Sequence, residues 1–185
     1  MEKVRRKGPD RIYTPLPSDS PAYNLIGRTA AEWSRFEHLL DTIIWVLVER
    51  RESTMACLTA QMMGIRPRIL SNRALLDDQK FPKEFHDDLD AMEKRSFGPL
   101  EIRNRTVHDP WIWELISKTP RQHRSKAAKD LRYGTVEVDV AALEKNVKDT
   151  LRLQMRAWDL QYKIERFTHA KHVEFQALMK KHGLE

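Results

Sequence analysis

Apolar residues recur at intervals of three and four positions in two long segments of the chain, residues 22–51 and 139–168. That period places one apolar stripe along an α-helix, and such a stripe normally packs against a core. Both segments are therefore predicted to be long amphipathic helices, with Asp139 as the N-cap of the second. The predicted buried stripes are Trp33, Phe36, Leu40, Ile43 and Leu47 in the first helix, and Val140, Leu143, Val147, Leu151, Trp158, Tyr162 and Phe167 in the second.

Shorter helices are predicted between these two segments, because glycine and proline divide the intervening sequence. One covers about residues 53–63, and the next follows Pro67. A fourth helix starts at Pro82 and is interrupted at Gly98-Pro99, which leads into a short helix over residues 100–109. The interruption is expected to re-aim the side chains that follow it.

The sequence after Pro110 changes character. Residues 111–116 and 131–138 are rich in aromatic and β-branched residues, which favours two short strands. Residues 117–130 between them are predicted to form a basic loop. The fold class predicted from all of these patterns is all-α, a bundle of about five or six helices with a small two-stranded excursion. A sheet of four or more strands would contradict that class.

The composition is typical of one helical domain and shows that the chain is positively charged. The chain has 185 residues, of which 41% are hydrophobic and 32% charged, with a formal net charge of +6. Residues 1–21 are expected to be a basic, disordered tail and residues 22–185 a single domain. The positive charge permits a polyanionic partner such as RNA without establishing one.

The single cysteine, Cys57, excludes a disulfide framework within the chain, which favours a reducing, intracellular setting. Cys57 is expected to be a core residue. Neither a secretory signal nor an apolar run long enough for a bilayer is recognised, so a cytoplasmic protein is expected. His169 and His172 stand three residues apart, but no firm third ligand shares their face, and no metal or other cofactor is predicted.

The short helix over residues 100–109 concentrates chemically versatile side chains. Its apolar face carries Leu100 and Val107, with Trp111 following. Asn104 lies at the edge of that face with His108 one turn further on, while Arg103 lies on the opposite shoulder. Two interpretations stay open from spacing alone. The residues are either a core histidine and a structurally paired arginine, or an active site.

The order Arg103-Asn104, three further residues and His108 resembles the signature motif of the HEPN superfamily, in which an arginine, usually followed by a polar residue, precedes a histidine. The long helices on both sides extend the resemblance over roughly residues 22–170. A glycine often follows the histidine in that family, whereas this chain has Asp109. The resemblance implies a compact helical bundle, commonly a homodimer in which the two motifs face each other. Many members are metal-independent endoribonucleases of toxin–antitoxin or phage-defence systems, and others are inactive RNA-binding or scaffolding proteins.

The chemistry suits RNA cleavage, because the substrate supplies its own nucleophile in the 2′-OH. His108 could transfer a proton as base or as acid, Arg103 could bind phosphate oxygens, and Asn104 could position either group. The predicted catalytic residues are therefore Arg103, Asn104 and His108. Residues expected to bind the RNA backbone are Arg105, Arg121, Arg124 and Lys126.

The alternative function is a catalytically inactive, helical dimer that binds RNA or a protein partner, such as an antitoxin or a nucleotidyltransferase. The two functions differ in what is expected at the motif. An enzyme should bring both copies of Arg103 and His108 together in one solvent-open cleft. A scaffold should bury them, separate them or engage them in salt bridges.

Overall fold

The computed structural model describes residues 13–49, 52–127 and 131–182, except the side chains of residues 52, 53, 125–127 and 131–133. Helices predominate in this part of the chain, as predicted. In chain order, the elements are β1 (Tyr13–Thr14), α1 (Ala22–Val48), α2 (Glu52–Thr59), α3 (Ile65–Asp78), α4 (Lys83–His108), β2 (Trp111–Glu114), β3 (Thr119–Ala127), β4 (Leu131–Glu137) and α5 (Val140–Lys181). Among the described helices, none combines the length and the apolar character that crossing a bilayer requires.

The chain divides into two compact units. The first, here called the sheet unit, contains the described residues up to Ala30 together with Glu101–Val147. The second, the helical unit, contains Ala31–Leu100 and the described residues from Lys148 onward. Helices α1, α4 and α5 contribute residues to both units.

The sheet unit corrects the prediction of an all-α fold. Its four strands form one antiparallel sheet in the order β1-β2-β3-β4, which is larger than the predicted two-stranded excursion. Strand β1 comes from the segment predicted to be a tail, and Tyr13 pairs with Glu114 of β2. Residues 15–21 of the predicted tail are also described, with Leu16 and Ser20 buried, contrary to the expected disorder. Residues 1–12 lie outside the described residues.

The central strand β3 occupies the segment that was predicted to be a basic loop. Trp111 of β2 pairs with Gln122, and Gln122 pairs in turn with Val136 of β4. The β3 sequence Thr119–Ala127 is mostly polar, so it lacks the apolar alternation that marks a strand. It is ordered by neighbours on both sides, whose backbone groups complete its hydrogen bonds.

Helix α4 runs without interruption through Gly98-Pro99, contrary to prediction. A proline removes its own N–H from the helical ladder and crowds the carbonyl group four residues earlier, but the turns on either side keep their hydrogen bonds. In the turn before Pro99, the Ser96 hydroxyl also donates to the Glu93 carbonyl oxygen at 2.6 Å. The motif therefore lies at the end of a 26-residue helix and not on a separate short one.

The helical unit is organised around one apolar cluster from α1, α3, α4 and α5. The predicted α1 stripe is confirmed, since all of its members are buried in that cluster. The cluster comprises Trp33, Phe36, Leu39, Leu40, Ile43, Leu47, Ile65, Ile69, Leu76, Phe81, Phe85, Leu89, Met92, Leu153, Ala157, Leu160 and Ile164.

The predicted stripe of α5 is wrong at four of its seven members, of which Val140 and Leu151 are 46% and 36% exposed. Leu153, Ala157, Leu160 and Ile164 face the core. Trp158 and Tyr162, which were expected inside, are 64% and 58% exposed. The N-cap of this helix is confirmed, because Asp139 Oδ1 accepts the Ala142 N–H at 3.1 Å. Cys57, also expected in the core, is exposed on α2.

Candidate functional site

The last two turns of α4 bring the three predicted catalytic side chains together. Arg103 donates through Nη1 to the Asn104 side-chain oxygen at 2.9 Å. The same Nη1 lies 3.3 Å from His108 Nε2. An arginine reaching forward along the helix therefore bridges the amide beside it and the imidazole at the helix end. This group of three residues is called the motif site below.

The Arg103–His108 contact pairs a group that only donates with a ring nitrogen that can donate or accept. A guanidinium has donors only, so a hydrogen bond between the two requires Nε2 to be the acceptor. An imidazole with an unprotonated Nε2 can accept a proton from a hydroxyl.

The motif site is open on one side. Asn104 and His108 are exposed and Arg103 is half-buried. Within the described residues, neither Arg103 nor His108 forms an ion pair with a carboxylate. Arg103 Nε is buried and has no hydrogen-bond acceptor among those residues. An unpaired buried donor costs about 1–3 kcal/mol, so the site holds a guanidinium whose hydrogen bonding is incomplete.

Side chains from the sheet hold the end of the motif helix. A helix leaves its last carbonyl groups without internal partners. Here Trp111 Nε1 donates to the Thr106 carbonyl oxygen at 2.8 Å. Gln122 Nε2 donates to the Arg105 carbonyl oxygen at 3.3 Å, although Gln122 is only 2% exposed. The helix end, and with it His108, is thereby fixed to strands β2 and β3.

Gln122 is the supporting residue that sequence reasoning missed. It lies in a polar segment that was predicted to be a loop, where a glutamine is expected to be exposed. Its burial was not predictable, because a buried amide needs hydrogen-bond partners that the sequence does not identify. Trp111 was noticed as part of an apolar face, but its hydrogen bond was not predicted.

The residues predicted to bind the RNA backbone have different surroundings. Arg105 lies 3.4 Å from Glu101 and 3.6 Å from Asp109, so two carboxylates partly neutralise it. Arg121 is more strongly engaged, because its Nε donates to the buried carboxylate of Glu114. A guanidinium held in this way stabilises the pairing of β2 and β3 and is not free to bind a phosphate.

Arg124 is exposed on β3, and among the described residues its side chain makes one long hydrogen bond, 3.4 Å, to the Gln122 side-chain oxygen. The side chain of Lys126 lies outside the described residues. Arg105, Thr106, Gln122 and Arg124 contribute to the lining of one cavity of about 290 Å³ in the sheet unit. Of the four predicted RNA-binding residues, two therefore border the same concave surface.

In the part of the chain that is described, no three His, Cys, Asp or Glu side chains cluster in a way that could hold a metal ion. His172 instead lies 2.8 Å from the Gln176 side-chain nitrogen on the exposed face of α5. No family model, no curated protein and no solved structure matches this chain.

Proposed function

We propose that this protein is a metal-independent endoribonuclease of HEPN type. The observation that carries the proposal is the contact of Arg103 with both Asn104 and His108 on an exposed helix end. Long helices around the motif and the net charge of +6 support it further. The reaction would be attack of the ribose 2′-OH on the adjacent phosphorus, leaving a 2′,3′-cyclic phosphate and a 5′-OH.

Each side chain has a distinct role in this proposal. His108 accepts the 2′-OH proton through Nε2, the ring nitrogen that faces Arg103. Arg103 swings its guanidinium from the imidazole onto the phosphate, where the negative charge of the transition state concentrates. Its unpaired Nε–H gains an acceptor in that step. Asn104 holds Arg103 in place before substrate binds.

The proposed enzyme acts as a homodimer. One motif site offers one imidazole, whereas the reaction needs a base for the 2′-OH and an acid for the departing 5′-oxygen. A two-fold axis would supply the second histidine without further sequence. We place the enzyme in the cytoplasm, in keeping with the single cysteine.

A specific observation also favours the alternative function, an inactive dimer that binds RNA or a protein partner. Arg103 and His108 contact each other, so each occupies the hydrogen-bonding capacity that the other would use on a substrate. If RNA binding does not separate them, the site holds a nucleic acid or a protein without cleaving anything.

Incubation of the full chain with a mixture of RNAs, in the presence of a chelator, tests the proposal. We expect cleavage to fall by about 10²–10⁴-fold in His108→Ala and by about 10²–10³-fold in Arg103→Ala. His172→Ala and Arg66→Ala remove an exposed histidine and an exposed arginine elsewhere and are the matched controls. Equal cleavage by the wild type and His108→Ala would refute this site.

A substrate with sulfur in place of the 5′-bridging oxygen assigns the role of His108. Sulfur leaves without a proton, so the modified bond no longer needs a general acid. If His108 is the base, as proposed, His108→Ala should remain slow on this substrate. Recovery of the rate would make it the acid. If no variant and no wild-type sample cleaves RNA, but a partner binds through the motif site, the alternative function is correct.

A further inference from the structure

The helical unit exposes an apolar stripe on α5 that its own core does not use. Leu151, Met155, Trp158 and Tyr162 are 36%, 68%, 64% and 58% exposed. They are spaced four, three and four residues apart, so they form one continuous line along the helix. Single exposed apolar residues are ordinary, but a contiguous line of large ones marks an interaction surface. This line is called the α5 stripe.

A groove runs beside the α5 stripe. It is a cavity of about 560 Å³ between α4 and α5, lined in part by Arg95 and Pro99 of α4 and by Arg152, Met155 and Arg156 of α5. Met155 belongs to both the stripe and the groove. A large side chain that packs on Met155 would therefore have room to enter the groove, as aromatic anchors do at protein interfaces.

We propose that a second copy of this chain covers the α5 stripe, with the two α5 helices antiparallel. Spacings of four, three and four are typical of a helix that packs along a second helix, in either orientation. With the two-fold axis between residues 156 and 157, Met155 packs against Trp158 of the second copy. Leu151 packs against Tyr162 of the second copy. Each Trp158 then lies at the groove of the other chain.

The charges beside the stripe select this arrangement. Arg152 and Asp159 both directly follow a stripe residue, and their side chains are 71% and 61% exposed, although each also pairs within the helix, with Asp149 and Lys163 respectively. The antiparallel register places Arg152 beside Asp159 of the second copy, and the symmetry repeats the pair. At the ends of the stripe, Lys148 comes opposite Glu165 of the second copy. Opposite charges therefore meet at four places in the dimer. The surface is thus complementary to a second copy of itself, whereas a surface that binds anions in general would carry positive charge alone.

This inference rests on the proposed function for the expectation that the chain dimerises, and it names a surface of the helical unit through which two copies would meet. All of its residues belong to the helical unit, and none belongs to the motif site. A failure of the ribonuclease proposal would therefore leave the α5 interface untouched. A failure of the α5 interface, with cleavage retained, would mean that the dimer needed for cleavage forms through another surface.

Sedimentation velocity of the full chain from about 1 µM to about 100 µM is the first test. We expect the wild type to form dimers, and Trp158→Ser to raise the dimer dissociation constant by about thirtyfold or more. Phe175→Ser is the matched control, because Phe175 is a 58% exposed aromatic on α5 outside the stripe. Circular dichroism should find both variants as helical as the wild type, since neither residue is buried.

Charge reversal tests the register. Arg152→Glu and Asp159→Arg should each weaken dimerisation by about tenfold, because each places like charges together twice in the dimer. The double variant Arg152→Glu with Asp159→Arg restores opposite charges and should recover most of the affinity. A wild type that stays monomeric at every concentration overturns the proposal, as does a dimer indifferent to Trp158→Ser. Loss of RNA binding in Trp158→Ser without a change in mass would assign the stripe to RNA instead.

Discussion

Trp111 donates its indole N–H to the carbonyl oxygen of Thr106, two residues before His108, at 2.8 Å. The bond joins the first residue of β2 to the end of the motif helix. Because the helix ends at His108, anything that loosens its last turn moves the imidazole relative to Arg103. A residue outside the motif thus has a direct influence on the geometry of the motif site.

Trp111→Phe should lower the cleavage rate by about tenfold while leaving RNA affinity within about twofold. The substitution keeps an aromatic ring and removes the hydrogen bond, and small displacements of a catalytic group cost rate more than binding. Steady-state kinetics on a single RNA substrate would separate kcat from KM. An equal loss in kcat and in RNA affinity would argue that Trp111 binds substrate instead.

Arg121 and Arg124, three residues apart on β3, should respond differently to neutralisation. Arg121→Gln should lower the free energy of unfolding by about 3 kcal/mol, because it deprives the buried Glu114 carboxylate of a cation. Arg124→Gln should leave stability within about 0.5 kcal/mol, because Arg124 is exposed.

The same two substitutions should affect RNA binding in the opposite order, with the larger effect from Arg124→Gln. Arg124→Gln should reduce the slope of log affinity against log salt by about 0.7, the value for one phosphate contact on a single strand. Arg121→Gln should change the slope little, provided the protein is folded. Urea unfolding and salt titrations of the two variants would decide. An undiminished slope in Arg124→Gln removes this arginine from the RNA contacts.

In the helical unit, Arg68 and Asp41 form a buried pair through two parallel hydrogen bonds of 2.7 and 3.1 Å. Arg68 Nη1 also donates to the carbonyl oxygens of Met62 and Gly64, at 2.9 and 2.8 Å. The arginine thereby ties the segment before α3 to α1. Arg68→Leu should cost about 3–5 kcal/mol, because it leaves a buried carboxylate unpaired.

The double variant Arg68→Leu with Asp41→Leu should recover much of that loss, because it removes both charges together. Thermal and urea unfolding of the single and double variants would measure the difference. If the double variant is as unstable as Arg68→Leu, the carbonyl contacts of Arg68 matter more than the ion pair does.

Lys163 gives a prediction for high pH. Hydrogen bonds to Asp159 and then Asp88 raise the pKa of Lys163 above its ordinary value. A group whose pKa rises on folding contributes stability below its unfolded pKa, about 10.4, and loses it as the pH passes the folded value. The side chain is 45% exposed, so Lys163→Gln should cost less than about 1 kcal/mol at pH 7.

Unfolding of the wild type and Lys163→Gln at a series of pH values would measure the difference in their free energies of unfolding. That difference should be constant from neutral pH to about pH 10 and should shrink at higher pH. A difference that grows with rising pH would contradict the assigned ion pairs.

Local sequence patterns predict the elements that short-range interactions form. The period of α1 correctly predicted its start and its buried face, although the helix ends at Val48 and not at residue 51. Asp139 predicted the start of α5, because an N-cap needs only a local hydrogen bond, here to the Ala142 N–H three residues later. The spacing of Arg103, Asn104 and His108 allowed one helix to bring them together, and α4 does so.

Other features depend on contacts between distant parts of the chain, and local patterns do not predict them. Helix α5 carries apolar residues on more than one face, and the packing of the helical unit chose Leu153, Ala157 and Ile164 over Trp158. Strand β3 has no apolar alternation and forms because β2 and β4 pair with it. The same pairing commits Arg121 to Glu114 and buries Gln122 under the motif helix. Periodicity describes one element at a time, and these outcomes depend on which elements meet.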